Sequence, residues 1–348
     1  MTDDTLVRDS AARLFADLVS PNLVNAAEGG EFPAELWSAA DEAGFPDALA
    51  ASTDLAGSLA GIGDAAAILH EAGRYAAPLP LAETMIGRWL LESAGYDTPD
   101  GIITIAPVER DGGFSLRREG ERWQLSGRAA AVPWARQADA IAVIAEGQVA
   151  CFAPGDADIR PGANLAGEPR DDLSVDVTLE SVTRAPRGVD GALVYRLGAL
   201  CRAVMMAGAL DEVLKLTVQY ANDRVQFGRA IAKFQAIQQQ LAILAENVAA
   251  AGVVAQAAVE AAAQQGDLAV AVAVAKSRVG EAAGKVAEIA HQVHGAIGFT
   301  HEHRLHHLTR RLWSWRDEFG VESDWERELG RLVALRGGDE LWPLLTGS

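Results

Sequence analysis

The spacing of hydrophobic positions changes twice along the chain, and each change predicts a boundary between structural regions. In residues 5–96 apolar side chains recur at helical spacing, as at Val7, Ala11 and Leu14, and prolines and glycines interrupt the series. This pattern predicts four or five short helices.

From residue 99 onward the apolar positions alternate with polar ones instead, as at Ile103 and Ile105 or at Val175 and Val177. The alternating runs are short and lie between clusters of Gly, Pro and Asp, which is typical of strands joined by turns. We therefore expect a β-domain of about 90 residues.

After residue 189 the helical period returns in longer segments that are rich in alanine. Helices are predicted near residues 191–223, 233–264 and 267–293, with a shorter helix beginning near Arg304. Because alanine lets helices approach closely, an antiparallel bundle is expected.

The patterns together predict a mainly α protein with a central β-domain. The predicted parts are an N-terminal helical domain (residues 1–98), a middle β-domain (residues 99–188) and a C-terminal helical bundle (residues 189–348). No repeat of fixed period and no flexible linker divides them, so they should pack as one body.

Composition and charge narrow the classes of function. The chain has 348 residues, of which 49% are hydrophobic and 22% are charged, so a globular protein long enough for an enzyme is expected. The net charge of −18 repels phosphate backbones and anionic lipid, so neither nucleic acid nor a membrane surface is an expected partner. Two cysteines are too few for a disulfide framework, and the acidic start of the chain resembles no secretory signal; both features favour a cytoplasmic location.

Two segments of the third region carry residue types that can bind an anion. In the first, a long helix is expected to end with Gly228 as its stop, so that polar side chains gather at one corner. The candidate residues are Arg224, Gln226, Phe227 and Gln235. The alternative is a solvated helix cap with Phe227 buried in the core.

In the second segment Gly295 and Gly298 follow a long predicted helix, and Gln292 precedes them. Glycine lets a backbone approach a ligand closely and adopts positive φ without steric cost. The two glycines can therefore line a phosphate site or simply end the helix.

Four histidines follow the second segment, at positions 301, 303, 306 and 307. His303 and His307 are four residues apart on a predicted helix, which is a spacing that can hold a metal ion between two imidazoles. Because no acidic third ligand stands at an obvious spacing, we expect no metal and interpret the histidines as a packed or solvated face.

Asp317 and Glu318 are the candidate catalytic carboxylates. A carboxylate in an apolar pocket can remove a proton from a carbon next to a carbonyl group. The alternative is that both residues only balance the neighbouring charges of Arg310, Arg311 and Arg316.

The order and spacing of these segments resemble those of the acyl-CoA dehydrogenase family. The chain reads Arg-x-Gln-Phe-Gly-x-x-Ile-x-x-Phe-Gln from Arg224 and Gln-x-His-Gly-x-x-Gly-Phe-Thr from Gln292. The resemblance implies an N-terminal helical domain, a β-barrel-like middle domain and a C-terminal four-helix bundle. It also implies FAD, an oligomer, an acyl-CoA substrate oxidised at its α and β carbons, and a separate electron acceptor.

In that family the ADP end of FAD reaches across a subunit interface. The resemblance implies that this end is contacted by Arg224, Gln226, Phe227, Gln235, Gln292, Gly295 and Gly298. The two positions that the family uses for its glutamate base fall at about Gly198 and about Phe319, and neither residue can accept a proton. Asp317 and Glu318 lie within two residues of the second position.

The half of the family pattern that holds the flavin ring is also altered. The family loop Gln-x-x-x-Glu-Pro-x-x-Gly-Ser-Asp has no clear match in residues 104–113, and the family's Trp-x-Thr or Trp-x-Ser reads Ala131-Val-Pro133. Contacts from this chain to the flavin ring are therefore not expected to follow the family pattern.

Retention of the ADP-end residues without a base resembles the shorter subunits of α2β2 acyl-CoA dehydrogenases in actinobacterial steroid side-chain degradation. In such a complex a longer homologue supplies the base and most ring contacts. Two alternatives remain, namely a homotetramer that uses Asp317 or Glu318 as its base, and a flavin-free scaffolding homologue.

Overall fold

The computed structural model describes residues 3–50, 57–106, 108, 113–264 and 267–340. The described residues of the N-terminal region form five α-helices, which agrees with the four or five that were predicted. They are α1 (Asp3–Leu18), α2 (Pro21–Glu28), α3 (Ala34–Glu42), α4 (Ile62–Tyr75) and α5 (Leu81–Ser93). Their apolar positions, including Phe15, Leu69 and Trp89, are buried in one large core.

The described part of the middle region forms eight strands in two four-stranded sheets. The strands are β1 (Ile103–Ala106), β2 (Gly113–Glu119), β3 (Arg122–Pro133), β4 (Ala140–Ala145), β5 (Gln148–Phe152), β6 (Ala157–Arg160), β7 (Arg170–Leu179) and β8 (Thr183–Arg184). The sheet orders are β1-β4-β5-β8 and β2-β3-β7-β6. Only the pairing of β1 with β4 is parallel among these described strands. A second core, which includes Leu125, Val143 and Leu173, joins the two sheets.

The C-terminal region is again helical. It contains α6 (Gly191–Asp223), α7 (Gln235–Ala263), α8 (Leu268–His294), α9 (Leu305–Asp317) and α10 (Glu322–Arg336), and a hairpin of β9 (Val225–Gln226) and β10 (Arg229–Ala230) joins α6 to α7. Asp190 and Asp267 cap α6 and α8 by accepting hydrogen bonds from backbone N–H groups three residues later. The three long predicted helices agree with the structure to within two residues.

Glycines allow α4 and α6 to pack against each other at close range. A side chain at Gly73 would lie 2.0 Å from the carbonyl oxygen of Met205, and one at Gly208 would lie 1.9 Å from that of His70. Helix α6 therefore packs both on the N-terminal helices and on the C-terminal bundle. The predicted class, mainly α with a central β-domain, is confirmed.

Two of the described helices, α6 and α7, are long and apolar enough to cross a membrane as judged by length and composition. In the most apolar 18-residue segment of α6, 83% of the residues are buried within this chain. In the corresponding segment of α7 only 33% are buried. Helix α6 is thus the central core helix, and this chain alone covers little of the apolar surface of α7.

Candidate functional site

A cavity of about 860 Å³ opens between the middle β-domain and the C-terminal helices. Its volume lies in the range of small-molecule and cofactor sites. The lining includes Pro133 at the end of β3, Arg170 at the start of β7, Tyr195 in α6, and both candidate carboxylates, Asp317 and Glu318.

Residues 317–320, which we call the pocket wall, reverse the chain between α9 and α10. Helix α9 ends at Asp317, and Glu318 is already extended. Phe319 and Gly320 both have positive φ, at 53° and 91°. A side chain on Gly320 would lie 2.7 Å from the Tyr195 hydroxyl, so the wall can pack here only with glycine.

The ring of Phe319 lies directly against Gly198 in α6. A methyl group added to Gly198 would lie 2.2 Å from the nearest ring atom. The same ring meets Tyr195 edge to face with centroids 5.9 Å apart, and the Arg202 guanidinium lies 5.5 Å from its centroid. The two positions at which the family resemblance implied a base therefore touch each other, and neither carries a carboxylate.

Glu318 is held from two other parts of the fold. Arg170 donates two hydrogen bonds to the carboxylate, at 2.8 and 3.0 Å, and Arg202 donates a third at 2.6 Å. The side-chain amide of Asn164 donates a fourth at 3.0 Å. Arg202 also pairs with the buried Glu83 of α5.

These partners determine what Glu318 can do chemically. Burial raises the pKa of Glu318, but the charges of Arg170 and Arg202 and the hydrogen bonds of Arg170 and Asn164 outweigh that effect and lower the pKa to about 2. A carboxylate that holds its charge so strongly and accepts four hydrogen bonds is a poor proton acceptor.

The predicted pairing of the carboxylates with the neighbouring arginines of α9 is wrong for Glu318. Arg310 and Arg311 bind Glu28 of α2, at 2.6 and 2.8 Å, and Arg316 pairs with Glu322. These arginines leave α9 on other sides of the helix, whereas the pocket wall turns Glu318 towards β7 and α6. Asp317 is exposed and lines the cavity.

Apart from Asn164 and Arg170, which donate to Glu318, the described β-domain side of the cavity is lined by apolar side chains. Ala130, Ala131 and Pro133 line it, and a register shift between Ala129 and Val132 interrupts the pairing of β3 with β7. Of the segment 104–113, in which the family's loop has no clear match, residues 107 and 109–112 lie outside the described part of the chain.

The first motif forms an exposed hairpin rather than a helix cap. Helix α6 ends at Asp223, five residues before the predicted stop, and Gly228 lies in the turn between β9 and β10 with φ 80°. The alternative that Phe227 is buried in the core is wrong, because the residue is 92% exposed. The polar candidates Arg224, Gln226 and Gln235 are exposed as well.

The second motif lies at the end of α8. Gly295 ends the helix with φ 65°, and no described atom lies within 4 Å of the place where its side chain would be. Gly298 is buried, and a side chain there would lie 3.0 Å from Leu305 and 3.1 Å from His294. Gln292 is exposed.

An aromatic stack joins the two motif segments. The ring of Tyr220, four residues before Arg224, lies on the ring of His294 with centroids 4.5 Å apart and planes 23° apart. Burial lowers the pKa of His294 to about 4, so the imidazole is neutral near pH 7. The stack fixes the end of α6 beside the end of α8 and leaves the polar candidate residues of both motifs facing outward.

The histidines after the second motif do not form the predicted helical pair. Helix α9 begins at Leu305, so His303 lies outside it. His306 and His307 instead approach Glu28 of α2, and one ligand atom from each of the three lies within 4.8 Å of the others. Glu28 also accepts hydrogen bonds from Arg310 and Arg311, so we interpret the cluster as an ion-pair network.

Arg170, Arg202 and Lys276 belong to the site but did not stand out in the sequence. Arg202 and Lys276 are buried, at 1% exposure each, within the apolar helices α6 and α8. A basic residue within an apolar helical run indicates a buried charge that has a partner, because burying an unpaired charge is costly. Their partners are distant in sequence and were not predictable.

Comparison with known proteins supports the family resemblance that the motifs indicated. Residues 196–316 match the model of the acyl-CoA dehydrogenase C-terminal domain. The chain is 28% identical over 308 residues to acyl-CoA dehydrogenase IpdE2 of Mycobacterium tuberculosis, covering 88% of this chain and 89% of that protein.

Two solved structures have the same fold. The ChsE4-ChsE5 complex from Mycobacterium tuberculosis superposes with a TM-score of 0.85 at 23% identity, over 96% of this chain and 98% of that chain. A variant of the Tcur3481-Tcur3483 steroid ACAD gives 0.82 at 24% identity, over 95% and 98%. With the domain match and the curated relative, these results confirm the resemblance predicted from the motifs: residues 196–316 form an acyl-CoA dehydrogenase C-terminal domain, and the whole chain has the fold of that family.

Proposed function

We propose that this chain is the supporting subunit of an FAD-dependent acyl-CoA dehydrogenase that introduces an α,β double bond into an acyl-CoA thioester. A longer homologue would supply the catalytic base and most contacts to the flavin ring, in an α2β2 tetramer. The observation that carries this proposal is the packing of Phe319 on Gly198, because it fills both base positions with groups that cannot accept a proton.

The ionised state of Glu318 also supports the proposal that this chain supplies no catalytic base. Four hydrogen bonds from Arg170, Arg202 and Asn164 hold its carboxylate, and its pKa of about 2 keeps it ionised. Removal of a proton next to a thioester carbonyl needs a carboxylate whose pKa is nearer to the working pH.

The outward-facing motif residues suit the ADP end of a nucleotide. Arg224 can donate charge-assisted hydrogen bonds to a phosphate, and Gln226, Gln235 and Gln292 can donate and accept neutral ones. At Gly295 nothing described blocks the approach of a ligand to the backbone. These residues fit FAD bound mainly by a neighbouring subunit, whereas the alanine-lined β-domain wall of this chain offers the flavin ring little.

FAD, when bound, supplies the acceptor for the β-hydrogen of the substrate, which leaves as hydride. The role proposed for this chain is to bind and orient the ADP end and to close one side of the site against water. It moves no proton itself.

A steroid-derived acyl group is the proposed substrate class, because one structural relative is described as a steroid ACAD. The assembly with a second kind of chain is supported by the fold shared with the ChsE4-ChsE5 complex. An electron-transfer acceptor and a cytoplasmic location complete the proposal.

One observation favours a second candidate, a homotetramer that is active alone. Asp317 is exposed in the lining of the cavity, where a substrate can reach it. In that case the isolated chain would bind FAD and oxidise an acyl-CoA by itself.

Co-expression with a candidate longer homologue of the same family, followed by measurement of FAD per chain, tests the proposal. We expect a colourless isolated chain and a yellow complex that oxidises acyl-CoA with an artificial electron acceptor. A yellow, active isolated chain would support the alternative that the protein is active alone as a homotetramer. A stable complex without flavin would support the alternative that this chain is a flavin-free scaffold.

Site variants locate the FAD contact within that complex. Because a hydrogen bond to a charged group contributes about 1.5–3 kcal/mol, Arg224→Ala should weaken FAD retention by about tenfold or more. Gln292→Ala should weaken it less. Arg122→Ala, which removes an exposed arginine of β3 paired with Glu180, is the matched control and should leave FAD retention unchanged. Equal retention in the Arg224 and Arg122 variants would contradict the assignment.

A further inference from the structure

Lys276 is a buried lysine whose partners are backbone carbonyls rather than a carboxylate. It lies in the first third of α8 and is 1% exposed. Its Nζ donates hydrogen bonds to the carbonyl oxygens of Trp315 at 3.2 Å, Arg316 at 3.0 Å and Glu318 at 2.7 Å.

These three carbonyls surround the end of α9, where the chain enters the pocket wall. The last carbonyl groups of a helix have no partner within the helix. Lys276 supplies hydrogen-bond donors to them from a different helix.

The pocket wall needs such support because its backbone is strained. Phe319 has φ 53°, a left-handed conformation that is unfavourable for a residue other than glycine. Its carbonyl accepts a hydrogen bond from the Trp325 indole at 3.1 Å. The carbonyls of Glu318 and Phe319 are therefore both held from outside the wall, by α8 and by α10.

We infer that Lys276 is the positioning residue of the pocket wall, and that it fixes residues 317–320 in the conformation that places Phe319 on Gly198 and Asp317 in the cavity lining. Lys276 touches neither the cavity nor any ligand, and it acts through the carbonyl groups that it holds. The inference deepens the proposed function, and its effect on FAD rests on that proposal, but the conformation of the wall can be measured without FAD.

The position of the amine also makes the wall sensitive to pH. Burial lowers the pKa of Lys276 to about 7, against the opposing effect of Glu318 and, more weakly, of Glu322 and Asp317, while Arg202 lowers it further. When the wall opens, water reaches the amine and its pKa returns towards the ordinary value of 10.5. Because the open state binds the proton more tightly, opening becomes more favourable as the pH falls.

Amide hydrogen exchange of peptides covering residues 317–321 in the FAD-free full chain tests this inference. After correction for intrinsic exchange rates, the opening constant of the wild-type wall should be about tenfold larger at pH 6 than at pH 8, because the two states differ in pKa across this range. In Lys276→Met the wall should exchange faster than in wild type at pH 8, and the pH effect should be lost.

Two further variants keep the result interpretable. Lys285→Met removes an exposed lysine of the same helix and should behave as wild type. Lys276→Gln keeps two N–H donors without a charge, so it should slow exchange relative to Lys276→Met and show no pH effect. Wall exchange that is the same in wild type and in both Lys276 variants would overturn the inference, as would a wild-type wall with no pH effect.

The FAD measurement separates this inference from the proposed function. If the complex never retains FAD but the exchange results hold, the proposed function fails and Lys276 keeps its assigned role. If FAD binds normally but the exchange results fail, the proposed function stands and the role assigned to Lys276 is wrong.

Discussion

The Phe319 ring packs into the space that a side chain on Gly198 would need, with the nearest ring atom 2.2 Å from the place of the missing Cβ. The two residues are 121 positions apart, one in the first third of α6 and the other after α9. A larger residue at 198 requires a smaller one at 319. The pair therefore acts as one unit that closes the floor of the cavity.

Removal of that ring should be costly. Phe319→Ala should lower the free energy of unfolding by about 3–5 kcal/mol, because it leaves a cavity beside Gly198 that the helix cannot fill. Urea denaturation measures the effect. Phe227→Ala, at a 92% exposed phenylalanine, is the control and should change stability by less than about 0.5 kcal/mol. Similar values for the two variants would show that the Phe319 ring contributes no packing energy.

Glu318→Gln should destabilise the fold. Such a loss of stability is not evidence that Glu318 acts as a catalytic base. The change removes one of the two buried carboxylates that pair with each of Arg170 and Arg202. It leaves Glu168 and Glu83 as their remaining partners, so the loss should be at most about 3–5 kcal/mol, the cost of a broken buried ion pair. The pKa of Glu318 is lowered from 4.5 to about 2, so the wild-type contribution is fully present above pH 4.5 and is lost as the pH falls towards 2. Acid denaturation should therefore show a steeper loss of stability in wild type than in Glu318→Gln over that range.

Asp317→Asn separates catalysis from stability, because Asp317 is exposed. The variant should unfold like wild type and support normal turnover in the reconstituted complex. A fall in kcat of about 10²-fold or more, typical of losing a general base, would make this chain catalytic in its own right and disprove the supporting role.

Acid should loosen the contact between the two motif segments. His294 is neutral in the fold, with a pKa lowered by burial from 6.5 to about 4, so the unfolded chain binds its proton first and stability falls as the pH drops from 6.5 to 4. The loss from this residue should reach about 3 kcal/mol. His294→Phe keeps a ring on Tyr220 and should remove that part of the pH dependence. Identical pH profiles for wild type and variant would rule out this assignment.

The apolar surface of α7 should form the main oligomer contact of the bundle, residues 191–295. Only a third of its most apolar window is buried within this chain, and Val253 is 69% exposed. Val253→Lys should therefore shift sedimentation of the oligomer towards smaller species at micromolar concentration. Leu335→Lys, at a 71% exposed leucine of α10, is the matched control. A wild-type chain that sediments as a monomer alone and with its partner would contradict the prediction.

The periodicities predicted the helices and the β-domain because those elements follow local rules. The predicted long helices agree with the structure to within two residues, because the residues that cap or end them, such as Asp190 and Asp267, are adjacent to them in sequence. The helix stop at Gly228 was wrong because glycine with positive φ suits a hairpin turn equally well, and the two strands that flank it are only two residues long.

The site was less predictable because its contacts are distant in sequence. Glu318 was expected to pair with arginines of its own helix, and it pairs with Arg170 and Arg202, which lie 148 and 116 residues away. Likewise, nothing local to Glu28 indicates that Arg310 and Arg311 bind it. Side-chain pairing of this kind depends on how the domains pack, which no spacing rule describes.

The cluster around Glu318 has a consequence for how the protein unfolds. Its partners come from the β-domain through Arg170, from α6 through Arg202 and, at its carbonyl, from α8 through Lys276. An intermediate in which one region had come loose would leave a buried charge without its partner, at a cost of about 3–5 kcal/mol. We therefore expect such intermediates to be scarcely populated, and the β-domain and the helical bundle to unfold in one cooperative transition although each has its own hydrophobic core.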